Sequence, residues 1–223
     1  GTPIRTSSYR GLGAFANVFA IESFIDELAL AAGADPVAYR LSLMSDPRAR
    51  GVMEAAARMA DWQPGAPGGT GKGRGFAFSR YKNRAAYVAL VADVTVEEEV
   101  RLDKVWCACD AGLVVNPDGL ANQLEGGIVF AASNALKERV RFEDGRIATI
   151  DWETYPILKF SEVPQIEVQI LERPDDPPLG AGEVTHGPTA AAIANAVHHA
   201  LGIRIRDLPL DREGIVAALQ ATE

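Results

Sequence analysis

The sequence predicts an α+β fold, a helical first segment followed by a mixed sheet with packed helices. Three observations carry this. Apolar residues recur at three- and four-residue steps over 17–32, two Asp-Pro pairs each open a further helix, and beyond a glycine- and proline-rich stretch the apolar pattern switches to a period of two. With 223 residues, 48% hydrophobic and 23% charged, the chain can bury a real core. Its net charge is −8 and its 22 Lys and Arg are scattered, which argues against nucleic acid or an anionic membrane as a partner. No apolar run reaches the ~18 to 20 residues needed to span a bilayer. The opening Gly1-Thr2-Pro3-Ile4-Arg5 lacks the basic-then-apolar pattern of a leader, and the absence of an initiating Met fits a processed product or a fragment.

In the first helical stretch, 17–32, Val18, Phe19, Ile21, Phe24, Ile25 and Leu28 alternate with Glu22, Asp26 and Glu27, and Gly33 follows. This pattern describes an amphipathic helix stopped by glycine. Asp35-Pro36 supplies an N-cap and a first-turn proline for a helix over 37–44, and Asp46-Pro47 repeats the signal for 48–61. Residues 1–62 are therefore expected to be mostly helical. The 63–74 stretch holds two prolines and five glycines and is expected to be a linker.

Residues 75–223 form the α+β remainder. The stretches 75–92 and 94–109 are expected as adjacent strands with a turn near Glu97-Glu98-Glu99. Asn116-Pro117-Asp118-Gly119 starts a glycine-containing apolar helix over 120–136, and Glu143-Asp144-Gly145-Arg146 is a hairpin turn. Ile166, Val168 and Ile170 alternate through 165–171 as a half-buried strand. A helix over 188–201 ends at Gly202, and a short one covers 211–219.

Three constellations are candidates for chemistry. Tyr9-Arg10-Gly11-Leu12-Gly13-Ala14 precedes the first helix, where main-chain N–H groups can meet an anionic or oxo ligand beside a fixed positive charge; two glycines alone also describe a plain turn with a surface arginine. In Asn122-Gln123-Leu124-Glu125-Gly126-Gly127 two glycines interrupt a helix at ~1 kcal/mol each, and close approach of another helix is favoured over a ligand. Leu179-Gly180-Ala181-Gly182-Glu183 sets a carboxylate among glycines. In an apolar pocket such a glutamate would have its pKa raised toward the range of a general base; the competing reading is an exposed loop carboxylate. His186 is read as a packing or hydrogen-bonding residue. Cys107 and Cys109 are read as structural, because two thiolates complete neither a zinc site nor an iron–sulfur cluster.

Taken together these segments resemble the C-terminal part of the molybdenum-cofactor-binding subunit of the xanthine dehydrogenase and aldehyde oxidase family. Arg10-Gly11-Leu12-Gly13 is similar to its Arg-Gly-Phe-Gly stretch, with the helix from Phe19 after it, and Asp35-Pro36 with Arg40 fits the next pattern. Asp110-Ala111-Gly112, Asn116-Pro117 and Gln123-Leu124-Glu125-Gly126-Gly127 resemble its cofactor-contact segment, and Gly180-Ala181-Gly182-Glu183 its Gly-x-Gly-Glu. Residues 189–197 and Arg204-Ile205-Arg206-Asp207-Leu208-Pro209 resemble its closing helix and exit. The bacterial isoquinoline 1-oxidoreductase and nicotinate dehydrogenase branch is the most similar. The resemblance implies a hydroxylase acting on an N-heteroaromatic or aldehyde carbon with water-derived oxygen, Glu183 being the general base. It implies a molybdenum–molybdopterin, plain or as its cytosine dinucleotide, contacted by Arg10, Gly11, Gln123, Gly126, Gly180, Ala181 and Gly182, with no side chain on the metal. It also implies an iron–sulfur partner subunit, a companion polypeptide completing the cradle, and a cytoplasmic or, alternatively, periplasmic location. Leu12 departs from the family's aromatic, and the family subunit is several hundred residues longer. The competing reading is a non-catalytic assembly domain of the same fold.

Overall fold

A computed structural model describes residues 7–220; the leader reading at Gly1 to Arg5 lies outside them. The helical opening consists of α1 (Ala14–Ala31), α2 (Pro36–Leu43) and α3 (Pro47–Met59). The two Asp-Pro pairs act as read. The Asp35 carboxylate accepts the Val37 and Ala38 N–H groups at 3.0 and 2.8 Å, and Asp46 accepts that of Arg48 at 2.9 Å.

The sheet is built from β1 (Lys72–Arg80), β2 (Tyr87–Val96) and β3 (Val100–Asp110), an antiparallel meander, with β6 (Gln165–Ile170) added parallel to β3. Two expectations change here. Strand β1 starts at Lys72, inside the stretch read as linker, and the 75–92 run is two strands, broken at Tyr81–Asn83 where Lys82 and Asn83 take φ of 52° and 56°. The remaining elements are α4 (Pro117–Leu136), a small hairpin of β4 (Phe142–Glu143) and β5 (Arg146–Ile147), α5 (His186–Leu201) and α6 (Arg212–Gln220). Gly202, at φ 74°, ends α5 as the sequence indicates.

Both faces of the sheet are covered. Phe76, Tyr87, Ala89, Val91, Trp106 and Ala108 pack on Val52, Met53 and Ala56 of α3, while Ala77, Val88, Leu90, Cys107 and Cys109 face α4 and α5. Double coverage explains why β2 reads as a nearly unbroken apolar run. Helix α5 lies so close to β1 that a Cβ at Gly75 would overlap the Ala192 carbonyl oxygen and the Ala196 amide nitrogen. Gly75→Ala is expected to destabilise the fold by about 3 kcal/mol, because backbone atoms cannot rotate away from an overpacked methyl. The urea midpoint of the variant checks this.

Helix α1 inverts its sequence pattern. Its buried residues include Glu22, Ser23 and Asp26, while Ile21 and Phe24 are each 55% exposed. The reason is a charge network beneath the helix. Arg40 donates to the Glu22 carboxylate at 2.8 Å and to the Glu22 carbonyl at 2.8 Å, and Arg204 donates to Asp26 at 2.8 Å and to Asn195 at 2.6 Å. The same side chains close the free edge of β1. Glu22 accepts the Phe78 N–H at 2.9 Å, Asn195 donates to the Phe76 carbonyl at 3.0 Å, and His199 Nδ1 accepts the Arg74 N–H at 3.0 Å. Polar groups thus do at this edge what a fifth strand would otherwise do.

Candidate active site

Glu183 precedes α5 in a loop that the sheet fixes at several points. The Leu179 N–H donates to the Ala111 carbonyl at 2.8 Å and the Ala86 N–H to the Gly180 carbonyl at 3.1 Å. Gln123 of α4 and Arg10 both donate to the Gly182 carbonyl, at 3.0 and 2.9 Å, and Arg10 reaches the Gln123 carbonyl at 3.3 Å. The three constellations of the sequence therefore meet. The carboxylate itself accepts the Gly11 N–H on Oε1 at 3.0 Å and the Tyr81 O–H on Oε2 at 2.7 Å.

Those two donors reverse one expectation. The Glu183 pKa is held below its ordinary value, first by the Gly11 N–H and then by the Tyr81 hydroxyl, against a smaller opposing effect of burial. The residue is only partly buried, so no apolar pocket lifts it. Arg10 and Gln123, which the resemblance assigns to the cofactor, direct these donors at the backbone carbonyls of Gly182 and Gln123. Tyr81 was missed. Its one signal is the polar run Ser79-Arg80-Tyr81-Lys82-Asn83-Arg84 interrupting an apolar stretch.

The glycines divide by role. Gly127 gives α4 its close contact with α5, since a Cβ there would overlap Thr185 Oγ1, as the packing reading expects. Gly11, at φ 95°, needs its missing side chain twice over, because a Cβ would also fall 2.9 Å from the His186 Cβ. A methyl group placed on Gly126 or Gly180 would meet nothing within 4 Å, and one on Gly182 would meet only Gln123 Nε2, at 3.5 Å. Ala181 turns its side chain to the core.

His186 is fully buried, its ring centroid 5.1 Å from that of Phe130. Burial pushes its pKa down to about 4, so the ring is neutral near pH 7, and neither ring nitrogen has a hydrogen-bond partner among the described residues. The cysteines behave as structural residues: both are buried, and burial lifts the Cys109 thiol to about 12. Asp110 is wholly buried against Arg48 at 2.5 Å and accepts the Gly112 N–H at 3.0 Å, so the Asp110-Ala111-Gly112 segment anchors β3 to α3. Among the described residues no group of three or more His, Cys, Asp or Glu side chains could hold a metal ion.

A cavity of about 930 Å³ lies elsewhere, lined by Leu30, Trp62, Pro64, His198 and His199 near the end of α5. His198 is twelve residues beyond His186, roughly 18 Å along the helix axis. Convergent polar groups, which a reaction needs, gather at Glu183; the cavity's His199 is already spent on the Arg74 N–H and the Ala66 carbonyl.

Residues 24–164 match the model of the molybdopterin cofactor-binding domain. The chain belongs to that family. It is 47% identical to a nicotinate dehydrogenase subunit of Pseudomonas putida over 97% of its own length and 20% of that protein. It is 38% identical to the beta subunit of isoquinoline 1-oxidoreductase from Brevundimonas diminuta over 90% of its length and 26% of that one. The chain thus spans about a fifth to a quarter of these curated relatives. Among solved structures, the aldehyde oxidoreductase of Desulfovibrio gigas superposes with a TM-score of 0.75 over 97% of this chain and 42% of that one; at 16% identity this shows the fold alone. Quinoline 2-oxidoreductase of Pseudomonas putida 86 is 29% identical over 60% of this chain and 19% of that one, with a TM-score of 0.57. No helix among the described residues is long and apolar enough to cross a membrane.

Proposed function

We propose that this molybdopterin-family chain supplies the general base of an oxidoreductase that hydroxylates an N-heteroaromatic or aldehyde carbon with water-derived oxygen. The observation that carries this reading is the Glu183 carboxylate, fixed by Gly11 and Tyr81 where the loops before α1 and α5 meet α4. The surface beside it suits a large flat cofactor. Gly126 and Gly180 leave open space that a side chain would fill, and the backbone of Arg10, Gly11 and Gly182 lies alongside. Gly11, Gly126, Gly180, Ala181 and Gly182 would hold the molybdenum–pterin group by backbone contact, with Arg10 and Gln123 bracing the loops. When bound, the group supplies the two-electron redox step.

Glu183 contributes the proton chemistry. Held as a carboxylate near neutral pH, it can accept a proton on a lone pair that Gly11 and Tyr81 leave free, provided the reacting oxygen comes within ~2.6 to 3.2 Å. Arg10 pins the Gly182 carbonyl and so helps to fix the direction of the neighbouring carboxylate.

The rest of the enzyme is another polypeptide or a further part of the same one. Exposed Ile21 and Phe24 on α1, Trp152 and Phe160 leave apolar surface for it to cover. Electrons leave through an iron–sulfur partner, and the pterin is plain or a cytosine dinucleotide. Metal and pterin analysis of the complete complex tests the reading: about one molybdenum and one pterin per chain are expected. Their absence from an intact complex would favour the assembly-domain reading.

A further inference from the structure

Tyr81 belongs to none of the glycine motifs, yet it holds half of the Glu183 carboxylate. Its side chain is almost wholly buried, at 8% exposure, and its O–H lies 2.7 Å from Glu183 Oε2. The turn that carries it is unusual. Lys82 and Asn83 both adopt positive φ, a conformation that costs a non-glycine residue energy and persists only where the surroundings enforce it. The Tyr81 N–H donates to the Ala86 carbonyl at 3.3 Å, the Ala85 N–H returns to the Tyr81 carbonyl at 2.9 Å, and the Ala86 N–H donates to Gly180 at 3.1 Å. The turn is thus joined to the very loop that carries Glu183.

We propose that Tyr81 is a positioning residue for the general base: its O–H occupies Oε2 of Glu183 and fixes the plane of the carboxylate, leaving the free lone pairs to meet the proton that the reaction delivers. The inference rests on Glu183 being that base. The chemistry follows from the pairing of donors. Each carboxylate oxygen has two lone-pair sites, and Gly11 and Tyr81 take one on each, so the proton must arrive on one of the remaining sites. Without the Tyr81 donor the carboxylate is free to rotate about its last torsion, and its charged form loses a hydrogen bond.

The other groups facing Glu183 do not duplicate this part. Lys82, on the same turn, contributes positive charge without a hydrogen bond, and Arg10 spends its Nε on the Gly182 carbonyl. His186 of α5 is neutral near pH 7 because burial holds its pKa at about 4. Tyr81 keeps its own proton, its pKa being pushed up to about 12 by burial and by the adjoining carboxylate, so it remains a donor through the working range.

The experiment is Tyr81→Phe in the complete, cofactor-loaded complex, read two ways. Isotope-edited infrared difference spectra, wild type minus Glu183→Gln, follow the ionisation of the Glu183 carboxyl without any turnover. The acid limb of kcat/KM against pH follows it in the reaction. Loss of a donor to the charged form raises the Glu183 pKa, so both midpoints are expected to move to higher pH by about one unit. A fluorinated tyrosine at position 81 keeps the ring and strengthens the donor. It is expected to move both midpoints down, an opposite shift that a merely structural ring would not produce, and it serves if the phenylalanine variant fails to assemble. Unmoved infrared midpoints in the variants that assemble would overturn the Tyr81 assignment, even with Glu183→Gln inactive. A shifted infrared midpoint together with an active Glu183→Gln would instead retain the Tyr81–Glu183 coupling and remove Glu183 as the base.

Discussion

Glu183→Gln is expected to lower turnover of the complete complex at least ~10²-fold, the low end for loss of a general base. The substitution keeps the shape of the side chain and removes its capacity to take a proton. Its structural cost is small. The amide oxygen can still accept from Gly11, and the Tyr81 hydroxyl can turn to accept from the new NH₂ group where it formerly donated to the carboxylate. At most one hydrogen bond of about 1 kcal/mol is at stake, so cofactor content and thermal stability should stay near those of wild type. Glu183→Ala is a poorer probe, because it strands both donors. Steady-state kinetics with metal content measured on the same preparation separates loss of chemistry from loss of cofactor.

Arg40→Met should cost more stability than Glu183→Gln or Gly75→Ala, about 3 to 5 kcal/mol, as expected when one partner of a buried ion pair is removed. Arg40 is 3% exposed and Glu22 4%, so water cannot replace the lost partner. Asp26 keeps Arg204 at 2.8 Å, whereas among the described residues the Glu22 carboxylate is left with only the Phe78 N–H. The urea midpoint reads the loss directly. Adding Glu22→Gln should recover part of it, since the second change removes the stranded charge; additive effects would show that the two residues are not coupled. The consequence reaches the site, because α1 continues from the turn that holds Gly11 against Glu183.

How much the sequence shows depends on how local the determinant is. The Asp-Pro pairs, the turn at 97–99, the alternation of β6 and Gly202 are decided within a few residues, and all appear where expected. The buried face of α1 is not local. Its stripe of Ile21, Phe24 and Leu28 satisfies the helical period, but the guanidinium groups that draw Glu22 and Asp26 inward come from positions 40 and 204. The start of β1 escaped for a similar reason, since Gly73 reads as a linker residue until α5 is seen pressed against it.

At the site, Arg10, Gly11, Gln123 and Glu183 were readable because they sit in glycine motifs, and the structure brings them together. Two things were not readable. Tyr81 has no motif of its own and reaches Glu183 only through the folded turn at 81–86. The direction of the Glu183 pKa depends on which donors meet the carboxylate, and glycines in a sequence do not say whether a pocket or a hydrogen bond lies beside them.

The most direct test of Glu183 as base is the single-turnover rate of the molybdenum-loaded complex on a substrate of the class proposed above, an N-heteroaromatic or an aldehyde, wild type against Glu183→Gln at matched metal content. A single turnover excludes every later re-oxidation step, so only the chemical step at the site is read. A rate at least ~10²-fold lower in the variant is expected. Equal rates would contradict the assignment of Glu183.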